Sequence, residues 1–153
     1  FLYLFGHKKQ DDFTIDHAVA SQTVKRTFCG ITQINSRDRL VVNLSGFFWK
    51  NCQILGDCHS HTQWGEGEKA LYPDFKPSNA DKKSSKEEKI YLIVSVSIKK
   101  RSRSWKKTKH ESIIGTLDKY LFEIKSYWSP KDGELKQIPL ICTSAYRLNV
   151  FKK

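Results

Sequence analysis

Cys52, Cys58, His59 and His61 fall within ten residues of one another. Thiolate and imidazole are the ligands zinc prefers, and a closed structural site needs four of them. His59 and His61 are separated by Ser60 alone, so on a strand both imidazoles share one face. That places two metal ligands side by side. Five residues separate Cys52 from Cys58, more than the two to four usual between paired zinc cysteines. The same two thiols can instead close a local disulfide in an oxidising compartment, or stay reduced beside surface histidines. The four residues are the candidate metal ligands of the chain, and no cofactor-binding motif accompanies them.

A second cluster is electrostatic. Residues 99–110 read KKRSRSWKKTKH, with seven cations and no acid. They supply seven of the eleven net positive charges of the 153-residue chain. Lys99, Lys100, Arg101, Arg103, Lys106, Lys107 and Lys109 are placed to meet a polyanion, whose attraction reaches over a distance set by salt. Trp105 sits among them, and an indole interleaved with cations can stack on a nucleobase. Its alternative is to fold back onto the wall of the domain. Non-enzymatic nucleic-acid binding is the first functional expectation. A secreted or viral structural β-sandwich, disulfide-bonded and using the basic hairpin on sulfated glycan, anionic membrane lipid or a protein receptor, is the second.

Other chemistry finds little support. Glu66 and Glu68, or Asp11 and Asp12, lack the apolar flanks that raise a carboxyl pKa for acid–base work. The stretch Gly65-Glu66-Gly67-Glu68 carries acids that repel phosphate. Neither a Gly-x-Ser-x-Gly elbow nor a serine-triad spacing is present. No catalytic residue is assigned on this reading.

The elements that position these residues read as strands. Period-two alternation runs through residues 89–99, where Ile90, Leu92, Val94, Val96 and Ile98 point one way and Tyr91, Ile93, Ser95 and Ser97 the other. Residues 24–34, 38–45, 120–125 and 146–150 repeat the pattern. The sequence Ser129-Pro130-Lys131-Asp132-Gly133 predicts a turn pairing strands 119–128 and 134–142. Residues 11–23 read equally as a helix or as a strand carrying Phe13, Ile15, His17 and Val19. Residues 76–88 are polar and predict a solvated, mobile loop. The basic run lies between strands 89–99 and 112–127, which predicts a projecting hairpin tip.

With 39% hydrophobic and 12% aromatic residues, the chain is too apolar for a disordered polymer. Its length predicts a single domain over residues 1–153. The expected architecture is all-β, an antiparallel sandwich or small barrel. A basic loop between the late strands of a small barrel resembles the way OB-folds grip single strands, although no helix is visible where that fold places one. A chain that begins at Phe1 and holds no Met is expected to be a processed form or a fragment. Cys142, after Ile138 and Leu140, is expected on an apolar strand face, with Cys29 as its long-range partner if the compartment is oxidising. The four Cys leave the compartment open.

Overall fold

The computed structural model describes residues 1–21, 24–27, 30–33, 43, 48–49, 51–62, 76–98, 100–131 and 134–147. The fold is mostly β, as the alternation predicts, with helix confined to short segments. The chain groups into two compact units, Phe1–Cys58 and His59–Lys153.

In the first unit β1 (Leu2–Lys9) pairs antiparallel with β2 (Asp12–Ala20) across a two-residue turn. Gln10 takes a left-handed φ of 55° there. The ambiguous segment 11–23 therefore contains a strand. Its burial alternates residue by residue, with Phe13, Ile15, His17 and Val19 half-covered, so the period of two prevails over the helical reading. The other edge of β1 pairs antiparallel with β5 (Gln53–Thr62), a strand that runs on past Cys58. Tyr3, Leu4, Phe5, Leu55 and Cys58 are buried. Between Phe5 and Gly6 the β1–β2 register shifts, with Phe5 opposite His17 and Gly6 opposite Ile15. Asp16 is the extra residue of a bulge. Gly6 permits it, since a Cβ there would stand 1.9 Å from the Thr14 carbonyl oxygen.

The expected strand over 24–34 is a small hairpin instead, β3 (Val24–Thr27) and β4 (Gly30–Gln33), with Thr27 opposite Gly30. Cys29 and nearly all of 38–45 lie outside the described residues.

In the second unit β6 (Lys89–Ile98) pairs antiparallel with β9 (Tyr120–Ser129) along its whole length. The opposite edge of β9 is shared. β8 (Ile113–Leu117) covers residues 120–124, and β10 (Lys136–Ile138) covers 126–128. The Leu140 amide donates to the Glu111 carbonyl (3.2 Å) and Gln137 Nε2 to the His110 carbonyl (2.6 Å), joining the two half-edges. The expected pairing of 119–128 with 134–142 is present with a shorter second arm, and Asp132 and Gly133 lie outside the described residues. Cys142 is not on a strand. It precedes a five-residue helix, Thr143–Arg147, which takes in Tyr146 and Arg147 at the start of the last strand expected over 146–150; residues 148–150 lie outside the described residues.

The stretch read as one strand over 112–127 is two strands, since Leu117 pairs Tyr120 across the turn residues Asp118 and Lys119. Asp118 has φ 49°, a conformation that a short polar side chain tolerates better than most. On β6 the face carrying Tyr91, Ile93 and Ser95 is buried more deeply than the Leu92 and Val94 face. Tyr91 and Ile93 cluster with Tyr127, and Leu135 packs against them.

Candidate metal centre and basic strand

After Cys58, β5 delivers His59, Ser60 and His61. Alternation turns Ser60 to solvent and leaves His59 and His61 half-buried, their ring centroids 5.2 Å apart. The expectation of a shared face is met.

The third member comes from the segment expected to be a loop. Residues 76–88 are polar and mostly exposed, yet Asn79–Ser84 forms a helix, α1. Ser78 is its N-cap and Asp81 its third residue, and each side chain bonds the other's backbone. The Asp81 amide donates to Ser78 Oγ (3.2 Å) and the Ser78 amide to Asp81 Oδ2 (2.7 Å). This reciprocal box satisfies two amides the helix start would leave orphaned. The chain after α1 is tied down as well. The Lys86 amide donates to the Tyr91 hydroxyl and the Glu88 amide to the Ser129 carbonyl.

The box aims the Asp81 carboxylate at the histidines. Oδ1 lies 3.1 Å from His59 Nε2, and Oδ2 lies 3.5 Å from His61 Nε2. The three side chains are only 15–20% exposed. Burial pushes the Asp81 carboxyl up, but the His59 and His61 rings and the Ser78 bonds outweigh it and hold it well below the usual carboxylate range. Asp81 is therefore an anion facing two imidazoles.

Sequence spacing did not reveal Asp81. The signal was present in Ser78-Asn79-Ala80-Asp81, the pattern of a helix start with its N-cap and reciprocal acid, standing seventeen residues after His61.

The expected ligand set Cys52, Cys58, His59 and His61 does not assemble. Between Cys52 and Cys58 the backbone is extended, so six residues at about 3.3 Å each hold them roughly 20 Å apart. A disulfide needs Cα atoms within about 7 Å, and one ion needs its ligands closer still. Cys58 points to the face opposite His59 and is buried, while Cys52 lies near Asp16. Burial pushes the Cys58 thiol up to about 11. Cys52, Cys58 and Cys142 are all free thiols.

The basic run is laid along the sheet for part of its length. Arg103 is stitched to β8, its amide donating to Thr116 Oγ1 (2.9 Å) and its carbonyl accepting from the Thr116 amide (3.1 Å). Lys106 and Lys107 form β7, opposite Ile114 and Ile113 at the edge of β8. The hairpin tip is thus 108–112, where Thr108 Oγ1 accepts from the His110 and Ser112 amides. Lys100, Arg101, Lys106, Lys107 and Lys109 are exposed and Arg103 is half-buried. Lys99 lies outside the described residues. Trp105 does not project. It is half-buried, stacked toward Phe122 with centroids 6.3 Å apart, and lies over Gly115. The bare backbone of Gly115 offers a flat site where the indole can rest close to the sheet.

Among the described residues no helix is long and apolar enough to cross a membrane. Comparison of the chain with protein-family models, with curated proteins and with solved structures finds no match.

Proposed function

We propose that the second unit is a metal-dependent hydrolytic domain in which His59, His61 and Asp81 hold a zinc-class divalent cation. The observation that carries this reading is that each Asp81 oxygen faces the Nε2 of a different histidine. Ligands about 2.0–2.1 Å from a tetrahedral zinc ion stand roughly 3.3 Å apart. Asp81 reaches His59 at 3.1 Å through Oδ1 and His61 at 3.5 Å through Oδ2, and one ligand atom from each of the three residues falls within 4.8 Å of the others. Two imidazoles and one carboxylate are the donor set of catalytic rather than closed structural zinc sites, because three protein ligands leave a fourth position for water or substrate. The ion's contribution is to lower the pKa of a bound water toward about 7. Asp81, kept anionic, offsets the ion's charge, and the Ser78 bonds fix its orientation as an outer partner does in such sites.

Metal analysis of the purified chain tests this. A zinc ion should be retained by the wild type and lost in His61→Ala and Asp81→Ala. Hydrolysis of 4-nitrophenyl acetate should fall on chelation, return with zinc and be absent in both variants. Zinc content unchanged by both substitutions would overturn the reading.

A second reading rests on the exposed Lys106 and Lys107 of the edge strand β7, continuous with Lys100, Arg101 and Lys109. These form a cationic edge suited to a polyanion, nucleic acid first. Lys99 and Arg103 belong to the same run. Trp105, already packed on the sheet, serves this reading as the support of the strand.

A further inference from the structure

The first unit brings together a set of side chains that the proposed hydrolytic site does not use. His7 Nδ1 lies 2.9 Å from Asp16 Oδ2, and the Cys52 thiol donates to that same oxygen at 3.9 Å. The three ligand atoms all lie within 4.8 Å of one another. From these contacts we infer that His7, Asp16 and Cys52 form a separate binding site for a zinc-class divalent cation, with one thiolate, one imidazole and one carboxylate as ligands.

Each of the three is placed by a different local device. His7 is near the end of β1. Asp16 is the extra residue of the β1–β2 bulge, and a bulge characteristically re-aims a side chain that regular pairing would send elsewhere. Gly6, whose missing Cβ permits the bulge, precedes His7 in the chain. Cys52 comes from a turn closed by its own amide donating to the Trp49 carbonyl (3.0 Å), with Asn51 at a left-handed φ of 77°. That turn is fastened to the hairpin by Trp49. Its indole stacks on His17 at 4.2 Å and 14° and meets Phe5 at 5.5 Å. A surface His–Asp pair alone is commonplace. Here a thiol is held on the same carboxylate oxygen by a clamped turn.

The geometry suits the ion. Bonds of about 2.3 Å to sulfur and 2.0–2.1 Å to nitrogen and oxygen put tetrahedral ligands roughly 3.3–3.6 Å apart. The two contacts to Asp16, 2.9 and 3.9 Å, reach this with shifts of a few tenths of an ångström. The His7–Cys52 separation, within 4.8 Å, closes by up to about 1.2 Å to the sulfur–nitrogen spacing. His7 and Asp16, 50% and 35% exposed, have room to make them. A soft thiolate beside imidazole selects zinc or its congeners over magnesium and calcium. On binding, the S–H bond of Cys52 breaks, a sulfur–metal bond forms, and one proton passes to the buffer.

Cadmium titration of the metal-stripped full chain tests this, because a thiolate–cadmium bond gives a charge-transfer absorption and the His59–His61–Asp81 set contains no sulfur. The wild type should develop the band with one proton released per thiolate-bound ion. Cys52→Ser should abolish the band, and His7→Ala and Asp16→Asn should each weaken the affinity at least about tenfold, the lower end of what even an outer-partner change costs. The double variant His59→Ala/His61→Ala should keep the band, so failure of the hydrolytic reading leaves this result intact. A wild type without the band, a band that survives Cys52→Ser, or one lost with His59 and His61 would each overturn the inference.

Discussion

The indole of Trp105 occupies the space that any side chain at Gly115 would need. A Cβ on Gly115 would stand 2.2 Å from Trp105 Cδ2 and 2.6 Å from Cγ. Those atoms sit at the base of the indole, so no rotation of its far end relieves the overlap. Gly115→Ala should therefore lever Trp105 off β8 and cost about 1–3 kcal/mol, the usual range for overpacking. Trp105→Ala alone should cost roughly half of the 3–5 kcal/mol typical of a fully buried Trp. The double variant should cost clearly less than the sum, because the added methyl no longer meets an indole. Urea unfolding of the four proteins gives the coupling, and strict additivity would mean the contact is not made in solution.

Ser78 holds Asp81 from two directions, through its amide and its hydroxyl. Ser78→Ala should remove the hydroxyl bond and cost the α1 cap about 0.5–2 kcal/mol. Loss of a partner that orients a ligand lowers metal affinity by roughly 10–100-fold. Ser78→Thr, which retains a capping hydroxyl, should restore most of the affinity. Isothermal titration with zinc separates the two. Equal affinity in Ser78→Ala and the wild type would show that the cap does not orient Asp81.

What was legible in the sequence was periodicity, and what was not was closure. The alternation of Ile90 to Ile98 and the apolar face of 120–124 announce β6 and β9, and the Pro130 turn announces β10. The spacing of His59 and His61 is enough to set both on one face. Asp81 has no such cue, because the pairing of a strand with a short polar helix leaves no periodic trace. Its signal lies in a cap rather than in hydrophobicity. The turn at Asp118 and Lys119 is hidden for a related reason: it contains neither Gly nor Pro, and the apolar pattern runs through it. Trp105 among cations reads as a stacking residue because its resting place is defined by the absence of a side chain at Gly115. The fate of Cys52 and Cys58 turns on an extended backbone between them, which makes them too distant to share a bond or an ion.

The cationic edge makes a prediction about salt. If about four of its exposed cations reach phosphates, log affinity for nucleic acid should fall with log salt at roughly −0.7 per phosphate for single strands or −0.9 for duplex. Replacing Lys106, Lys107 and Lys109 by Ser should flatten the slope by up to about 3 units, while exposed-charge changes of this kind shift stability little. Fluorescence anisotropy across a salt series reads the slope. An unchanged slope in the triple variant would place binding elsewhere, and a response to heparin or anionic vesicles but not to nucleic acid would move the partner to those polyanions.

Cys58 carries a pH dependence of stability whose sign follows from its burial. Burial raises its thiol from the ordinary value of 9.0 to about 11 in the folded chain. Between those values the unfolded chain has lost the proton and the folded chain has kept it, so unfolding releases a proton and stability falls as pH rises. The contribution is fully present below pH 9 and is lost as pH climbs through about 11. Two pH units correspond to about 2–3 kcal/mol at most. Cys58→Ala removes the titrating group and leaves a small cavity, so it should be less stable than the wild type at pH 7. Its disadvantage should shrink between about pH 9 and pH 11, because only the wild type loses the thiol's contribution there. Urea midpoints for both proteins at about pH 7, 9 and 10.5 provide the comparison. A constant gap between wild type and Cys58→Ala across that range would mean the Cys58 thiol is not shielded from water in the folded state.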